Sequence, residues 1–600
     1  MLRRPEEVGR INQRVPWLSG RGFAVIVLCG AVLTLLLCWH LAMVLVGGIP
    51  VAGVGVTLQA LMALDPTDVP VKYSRDIDGL MAFVVFLLLL LLVAGAATWL
   101  VFWRHKRTRA KGGHGLATKQ QVRKSVGEQK AREKAKFGRK ASVEAGLDVQ
   151  ACPLSEVGFH LGNKHDDHEP VILTLEDQVG VVAATGMGKT LYLMQRAALD
   201  APGALVVTST RPELLDALIE ARTAVGTVHV WDPLNVSHWP VPMVWNPVAG
   251  CKDPAVASSR GIAFSGGISS STGGDATFFH TASANIMARL LRGAAMNGDL
   301  MDKVILWAAD LKTSAKAAVT ILNRPGNDPL WGSTLETAIT GSDETISGVR
   351  MTMGQKIEPL LNPVVLRQLI PQPDVRTFDP RAFVTSTDTL IIITDDQATT
   401  NVAPLATMLL NEVIDCAKAV AAVSEYGRLD PPMRIVGDEL ANVAPLPKLP
   451  GMLSDSRGNG VQWFAAFQSV AQILARWGEE EGRVILANLN VSVVLGGLQD
   501  EKALERFSAL VGSVDTQQVT SSVDSGNTTT ARNITLEERT AIRPEEIRHL
   551  PDGQALVIHR NSHAMIVDMI PWFDREDGDE IAEAMKRIRK IRLAEYQATC

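Results

Sequence analysis

Paired cysteines, acidic residues beside the basic ones, and charge over long stretches are what this 600-residue chain lacks. Its six cysteines (Cys29, Cys38, Cys152, Cys251, Cys416 and Cys600) form no CxxC pair, which excludes a disulfide framework and a structural zinc site and is expected of a soluble part in a reducing compartment. Charged residues are only 20% and aromatics 5%, against 46% hydrophobic residues, and the mean hydropathy is +0.12. That balance excludes a disordered scaffold and is too apolar for a purely soluble enzyme, so part of the chain is expected to meet lipid. A length near 600 at about 150 residues per domain suggests three or four domains.

Two segments account for the lipid. Phe23 to Val46 holds no Lys, Arg, Asp or Glu, and Gly79 to Trp103 is free of charge throughout. Each exceeds the roughly 20 residues that span hydrocarbon, and the first is too long for the apolar part of a cleaved signal. Arg3, Arg4, Arg10, Arg14 and Arg21 precede the first segment, and Arg104, Lys106, Arg107, Arg109 and Lys111 follow the second. The loop between them carries only Lys72 and Arg75. Two transmembrane helices, at about 23–46 and 79–103, with both termini on the cytoplasmic side are expected. From Arg104 to Lys140 there are 14 Lys or Arg against Glu128 and Glu133 alone. This local +12 leaves −17 for the rest of a chain whose net charge is −5. A surface coated by nucleic acid throughout is thereby excluded, and the basic stretch lies where anionic headgroups attract it.

Beyond the basic stretch, an alternating run from Val171 passes into the apolar VGVVAA, followed by Thr185, Gly186, Met187, Gly188, Lys189 and Thr190 and then a helical LYLMQRAAL. Strand, glycine loop and helix in that order suit phosphate: backbone amides close round its oxygens, Lys189 neutralises the β and γ phosphates, and the Thr190 hydroxyl coordinates Mg²⁺. The pattern GxxxxGK[ST] asks for glycine where this chain has Ala183. A second apolar strand, Met433 to Gly437, ends in Asp438 and Glu439. These are candidates to support Mg²⁺ and to polarise the attacking water, although adjacent carboxylates at a strand end also serve as a solvated cap. A third strand, Gly460 to Ala466, ends at Gln468, which either senses a γ-phosphate or caps the following helix. Leu390 to Thr394 and Val491 to Gly496 add further buried strands, so a largely parallel central sheet is expected.

The run from Gly437 to Ile473, GDELANVAPLPKLPGMLSDSRGNGVQWFAAFQSVAQI, resembles the signature of the type IV secretion coupling proteins, the TraG/TraD-type conjugative DNA pumps. Asp232-Pro233 with Asn246-Pro247, the AATGMGKT loop with its leading alanine, GHGLATKQQV and the late LPDGQALVIHR segment resemble further elements of that family. Two departures stand out: Leu440 follows the acidic pair where an aromatic is usual, and Thr208 to Glu213 (TSTRPE) replaces D-x-K-G-E, which leaves open whether Arg211 stands in for the family's lysine.

The resemblance implies an α/β fold with a RecA-like P-loop ATPase domain, an inserted all-α domain and two preceding transmembrane helices. The expected divisions are an anchor (1–110), a basic linker (111–170), the first part of the core (171–250), a helical insert (251–374), the second part of the core (375–575) and a basic terminal helix (576–600) read as solvated. Residues 515–535, rich in Ser and Thr, are expected to form a mobile surface loop. The implied activity is a ring ATPase, a homo-hexamer in the cytoplasmic membrane, that uses ATP and Mg²⁺ to export single-stranded DNA. Its implied partners are a relaxase or other protein cargo, the components of a type IV secretion channel and membrane lipid. Turnover would be DNA-stimulated. The other reading is a nucleotide-controlled adaptor that recruits protein substrates. A septal chromosome pump would bring more spans and a winged-helix end domain, neither of which the sequence shows. Arg457, in the Ser456-Arg457-Gly458 turn, either reaches across a ring interface to a neighbour's γ-phosphate or pairs within its own subunit.

Overall fold

The computed structural model describes residues 115–266, 274–341, 343–395, 401–522 and 531–599, with parts of 34–46 and 81–99. The chain divides into two compact units, Met1–Gly113 and His114–Cys600. In the first unit the described residues are helical, and Trp39 meets Phe86 edge-on with ring centroids 5.1 Å apart. The span expected at 23–46 falls largely outside the described residues and the one expected at 79–103 is described in part; among the described residues no helix is long and apolar enough to cross a membrane.

The second unit is organised by one eleven-stranded sheet. Its strands are β1 (Gly158–Lys164), β2 (Pro170–Thr174), β3 (Val179–Val182), β4 (Leu205–Ser209), β5 (Val228–Trp231), β6 (Thr389–Ile393), β7 (Met433–Gly437), β8 (Val461–Phe467), β9 (Val491–Leu495), β12 (Gln554–His559) and β13 (Met565–Met569). The order across the sheet is β2-β1-β13-β12-β9-β3-β8-β7-β4-β6-β5. The seven strands from β9 to β5 run parallel, and the remaining four continue the sheet antiparallel. Alternation along each parallel strand sends side chains to opposite faces, and both faces are covered. Met433 and Ile435 of β7, Trp463 and Ala465 of β8, and Leu390 and Ile392 of β6 enter one core. Val436, Phe464, Ala466, Ile391 and Ile393 enter the other. A strand buried on both faces reads as a near-continuous apolar run, which is why these strands are visible in the sequence.

Between β5 and β6 the chain is helical, from Pro254–Ser265 through Gly274–Asn297, Met301–Ala309, Lys316–Leu322, Pro329–Thr340 and Asp343–Ile357 to Pro363–Arg367 and Pro380–Phe383. Four of these helices start alike: Asp253, Asp328, Asn362 and Asp379 cap the first turn with their side-chain oxygens, and the next residue is proline. Proline at the first helical position has no amide to leave unbonded, and the preceding carboxylate or amide oxygen accepts from a free one. The helical stretch is tied to the chain that enters it and to helix Ala403–Val423 by Arg260, which is buried and donates to the carbonyls of Pro247 and Ala249 and to the carboxylate of Glu412. The Trp245 indole donates to the same carboxylate at 2.8 Å.

Three segments differ from expectation. Within 111–170, read as a linker, helices Lys119–Val126 and Glu128–Gly138 and strand β1 are built into the unit. The basic side chains there find acids distant in sequence: Lys119 meets Glu169 at 3.0 Å and Arg139 meets the buried Asp430 at 2.7 Å. Residues 515–535 fall mostly in a hairpin of β10 (Ser513–Ser522) and β11 (Ala531–Thr540), paired over ten positions; the abundance of Thr and Val favours extended backbone. The terminal helix, Gly578–Thr599, is docked: Arg589 and Arg592 meet the buried Asp216 at 2.9 and 2.7 Å, and Ile581 and Met585 pack on Ala217.

Candidate nucleotide site

Four neighbouring parallel strands, in the order β3, β8, β7, β4, deliver their carboxyl ends to one edge of the sheet. From β3 the chain enters the loop Ala183 to Gly188, whose Thr185 and Gly186 open to solvent. Gly186 and Gly188 have φ of +86° and +73°, which L side chains rarely adopt. At Gly188 a Cβ would also lie 2.7 Å from the Tyr192 ring. Met187 is held from the far side, since a Cβ on Gly497, beyond β9, would come within 2.9 Å of its sulfur. Lys189 and Thr190 open the helix, whose first turn, Thr190–Met194, is π-wound before Gln195–Leu199 continues it.

Lys189 Nζ lies 3.4 Å from Asp438 Oδ1 and 3.3 Å from Glu439 Oε1. Thr190 Oγ1 donates to Asp438 Oδ2 at 3.1 Å. Glu439 receives two more bonds, from Thr210 Oγ1 at 3.0 Å and from Gln468 Nε2 at 3.4 Å. Its backbone is left-handed, with φ of +58°, a strained state for a residue with a side chain. The two carboxyls titrate in opposite directions. Burial holds Asp438 above the ordinary carboxylate range, against the pull of Lys189. For Glu439 burial pushes the same way, but Lys189, Thr210 and Gln468 together outweigh it and the carboxyl is held low. Glu439 is therefore the better-stabilised anion of the two.

Asp438 Oδ1 is buried, faces Lys189 Nζ at 3.4 Å and accepts no well-formed hydrogen bond, and Thr190 Oγ1 is a second hard oxygen beside the same carboxylate. That donor set fits Mg²⁺, which takes one or two protein oxygens and completes its shell with phosphate and water. Among the described residues no group of three or more His, Cys, Asp or Glu could hold a metal unaided.

Of the residues singled out in the sequence, Lys189, Thr190, Asp438, Glu439 and Gln468 come together, with Thr185, Gly186, Met187 and Gly188 forming the loop. Gln468 does not cap the next helix; Ser469 does, accepting from the Gln472 amide. Arg457 lies elsewhere. It precedes β8, whereas Gln468 follows it, so the strand's seven residues, about 20 Å, separate the two. Its guanidinium meets Glu176 at 3.1 Å, and Arg428 pairs with the same carboxylate. Three participants were not foreseen: Thr210 on Glu439, Gln472, which accepts from the Gln468 amide at 3.0 Å, and Asn442, which accepts from the Gln472 amide group at 3.2 Å. The last two stand inside the run from Gly437 to Ile473, and Thr210 stands inside TSTRPE.

A glycine loop after one parallel strand, facing an acidic strand end two strands away across the edge of a doubly covered sheet, defines the RecA-like P-loop ATPase fold. Residues 432–552 match the family described as the TraM recognition site of TraD and TraG, and the resemblance to the TraG/TraD-type coupling proteins is borne out. No protein of curated function matches the sequence significantly. Among solved structures, the fold is similar to that of the bacterial conjugative coupling protein TrwB in its unbound form, with a TM-score of 0.51, 17% identity, and coverage of 67% of this chain and 87% of that one. It is also similar to TrwB in complex with a non-hydrolysable ATP analogue, with a TM-score of 0.50, 18% identity, and coverage of 66% and 86%.

Proposed function

We propose that this chain is a membrane-anchored, Mg²⁺-dependent ATPase that couples hydrolysis to conjugative export of single-stranded DNA, with or without a bound relaxase, through a type IV secretion channel. The observation that carries the reading is the contact of Lys189 with both Asp438 and Glu439, with Thr190 on the first carboxylate and Gln468 on the second. The binding of an ATP analogue by TrwB, whose fold this chain shares, supports ATP as the nucleotide.

In this reading the loop from Thr185 to Gly188 wraps the phosphates with backbone amides, and Lys189 turns from the carboxylates to the β and γ phosphates. Asp438 and Thr190 would hold Mg²⁺, which would neutralise negative charge on the phosphate oxygens. Glu439, relieved of Lys189 but still oriented by Thr210, accepts the proton of the attacking water. Gln468, bonded to Glu439, reports the γ-phosphate to the helix beyond Ser469. Residues 1–110 anchor the protein in the cytoplasmic membrane by two spans with both termini inside, and the helical segment 251–374 faces the cytosol and engages cargo. The working form is a homo-hexamer contacting lipid and channel components. Purified full-length protein should hydrolyse ATP several-fold faster with single-stranded DNA, and Lys189→Ala should abolish turnover. Equal rates with and without DNA would favour the adaptor, and near-normal rates in Lys189→Ala would sink the ATPase assignment.

A further inference from the structure

Glu439 and Gln468 follow neighbouring strands, yet no main-chain ladder fixes their spacing. Pairing between β7 and β8 stops at Gly437 and Ala465, short of both. Glu439 is also left-handed, with φ of +58°, and such a backbone persists only where its surroundings hold it. The direct bond from Gln468 Nε2 to its carboxylate is long, at 3.4 Å.

A second route joins the two residues. The Gln468 backbone amide donates to Gln472 Oε1 at 3.0 Å, and Gln472 Nε2 donates to Asn442 Oδ1 at 3.2 Å. The Asn442 backbone amide then donates to the Glu439 carbonyl at 2.9 Å. With the Gln468 side chain on the Glu439 carboxylate, the circuit closes. A backbone N–H can only donate, so Gln472 turns its oxygen to Gln468 and its NH₂ to Asn442, which accepts. The orientation of both side-chain amides is thereby set. Gln472 is itself seated in the first turn of helix Val470–Trp477, where its backbone amide donates to the Ser469 hydroxyl at 3.1 Å. The bridge is uncharged, so it holds the carboxylate without adding to the charge that faces the phosphates.

We infer that Gln472 and Asn442 are positioning residues for hydrolysis, and that their amide bridge sets the spacing between Glu439 and Gln468. The inference rests on the ATPase reading above. In the nucleotide-free chain Lys189 also holds Glu439 Oε1. Once that ammonium turns to phosphate, Thr210 and the bridged Gln468 are what keep the carboxylate aimed at the attacking water. A displacement of about 1 Å at a reacting group can cost about 10²-fold in rate.

The test uses the full chain in detergent micelles, with phosphate release followed over a range of ATP concentrations. Gln472→Ala should lower kcat at least about tenfold and leave KM, and the affinity for a fluorescent non-hydrolysable ATP analogue, within about twofold. Gln472→Glu still accepts from Gln468, and Asn442 can turn its NH₂ toward the new carboxylate; Asn442→Asp still accepts from Gln472. Each should keep most of the wild-type kcat. Asn442→Asp/Gln472→Glu sets two carboxylates face to face. It should lose as much as Gln472→Ala and regain part of it from about pH 8 to about pH 6, where the pair shares a proton. A kcat near wild type in Gln472→Ala overturns the proposal, as does a loss carried by KM or an equal loss in the single acidic variants. Hydrogen exchange gives a readout apart from turnover: the Asn442 amide should exchange at least about fivefold faster in Gln472→Ala, and unchanged exchange also overturns the bridge. If Gln472→Ala does not fold, Asn442→Ala is read by the same criteria. Wild-type protein that releases no phosphate would count against the ATPase reading and remove the role in hydrolysis, whereas near-normal turnover in Gln472→Ala counts against the bridge alone.

Discussion

Lys189 carries a structural duty in the nucleotide-free chain that can be measured apart from catalysis. Its ammonium is the only cation bonded to Asp438 and Glu439 among the described residues, and Asp438, with its side chain 10% exposed, is already held above the usual carboxylate range by burial. Lys189→Ala leaves two adjacent carboxyls with only hydroxyl and amide donors. Removing one partner of a buried pair costs about 3–5 kcal/mol; the Thr190 hydroxyl that remains on Asp438 places the expected loss near the lower bound. The sign with pH follows from the raised carboxyl. Asp438 ionises more readily in the unfolded chain than in the folded one, so it opposes folding above its folded value, and the opposition disappears as pH falls through that value. Thermal unfolding of the nucleotide-free protein should show a lower Tm for Lys189→Ala at pH 7.5, with the gap narrowing toward pH 5. Asp438→Asn on the same background should restore most of the loss at pH 7.5. A Tm deficit that is the same at both pH values and is untouched by Asp438→Asn would refute the reasoning.

Glu439→Gln should bind a fluorescent ATP analogue with near-normal affinity and lose about 10²–10⁴ in kcat, the usual range for a general base, measured by phosphate release. Arg457→Ala should keep ATPase activity within about twofold, because its partner is Glu176 and Arg428 remains on that carboxylate; loss of activity in Arg457→Ala that is recovered on mixing with Lys189→Ala protein would revive a role across a ring interface. Cysteines placed in the 50–78 loop, on a background without native cysteines, should react with an impermeant maleimide in intact cells, and labelling at position 120 but not at 65 would reverse the topology.

How much of this was legible depended on the kind of interaction. The strands of the parallel sheet are buried on both faces, so β3, β6, β7, β8 and β9 stand out as mostly apolar runs, interrupted by single polar residues such as Arg434, Gln462 and Ser492. The outer strand β1 is not legible because it borders a segment whose +12 charge reads as solvated; partners further along the chain, Glu156, Glu169 and Asp430, show that part of that charge is paired. The terminal helix reads as solvated for the same reason, since nothing local announces that Asp216 will be buried against Arg589 and Arg592.

The site divides along the same line. Gly186, Gly188, Lys189 and Thr190 are contiguous, and their chemistry is local: two positive-φ glycines, one ammonium and one hydroxyl at a helix start. The acidic pair and Gln468 could be recognised by type and by the strands they end. The strand order that puts β8 between β3 and β7, and so brings Gln468, Glu439 and Lys189 into one cluster, depends on the pairing of β3 with β8, far along the chain from it. The position of Arg457 shows the limit most clearly. It stands only eleven residues from Gln468 in sequence, yet a strand runs between them and carries one to each edge of the sheet. The amino-acid order by itself determined which side chains could bind phosphate and metal. The tertiary structure alone decided which edge each one reaches, because a strand's direction is set by its hydrogen-bonded neighbours and not by its own residues.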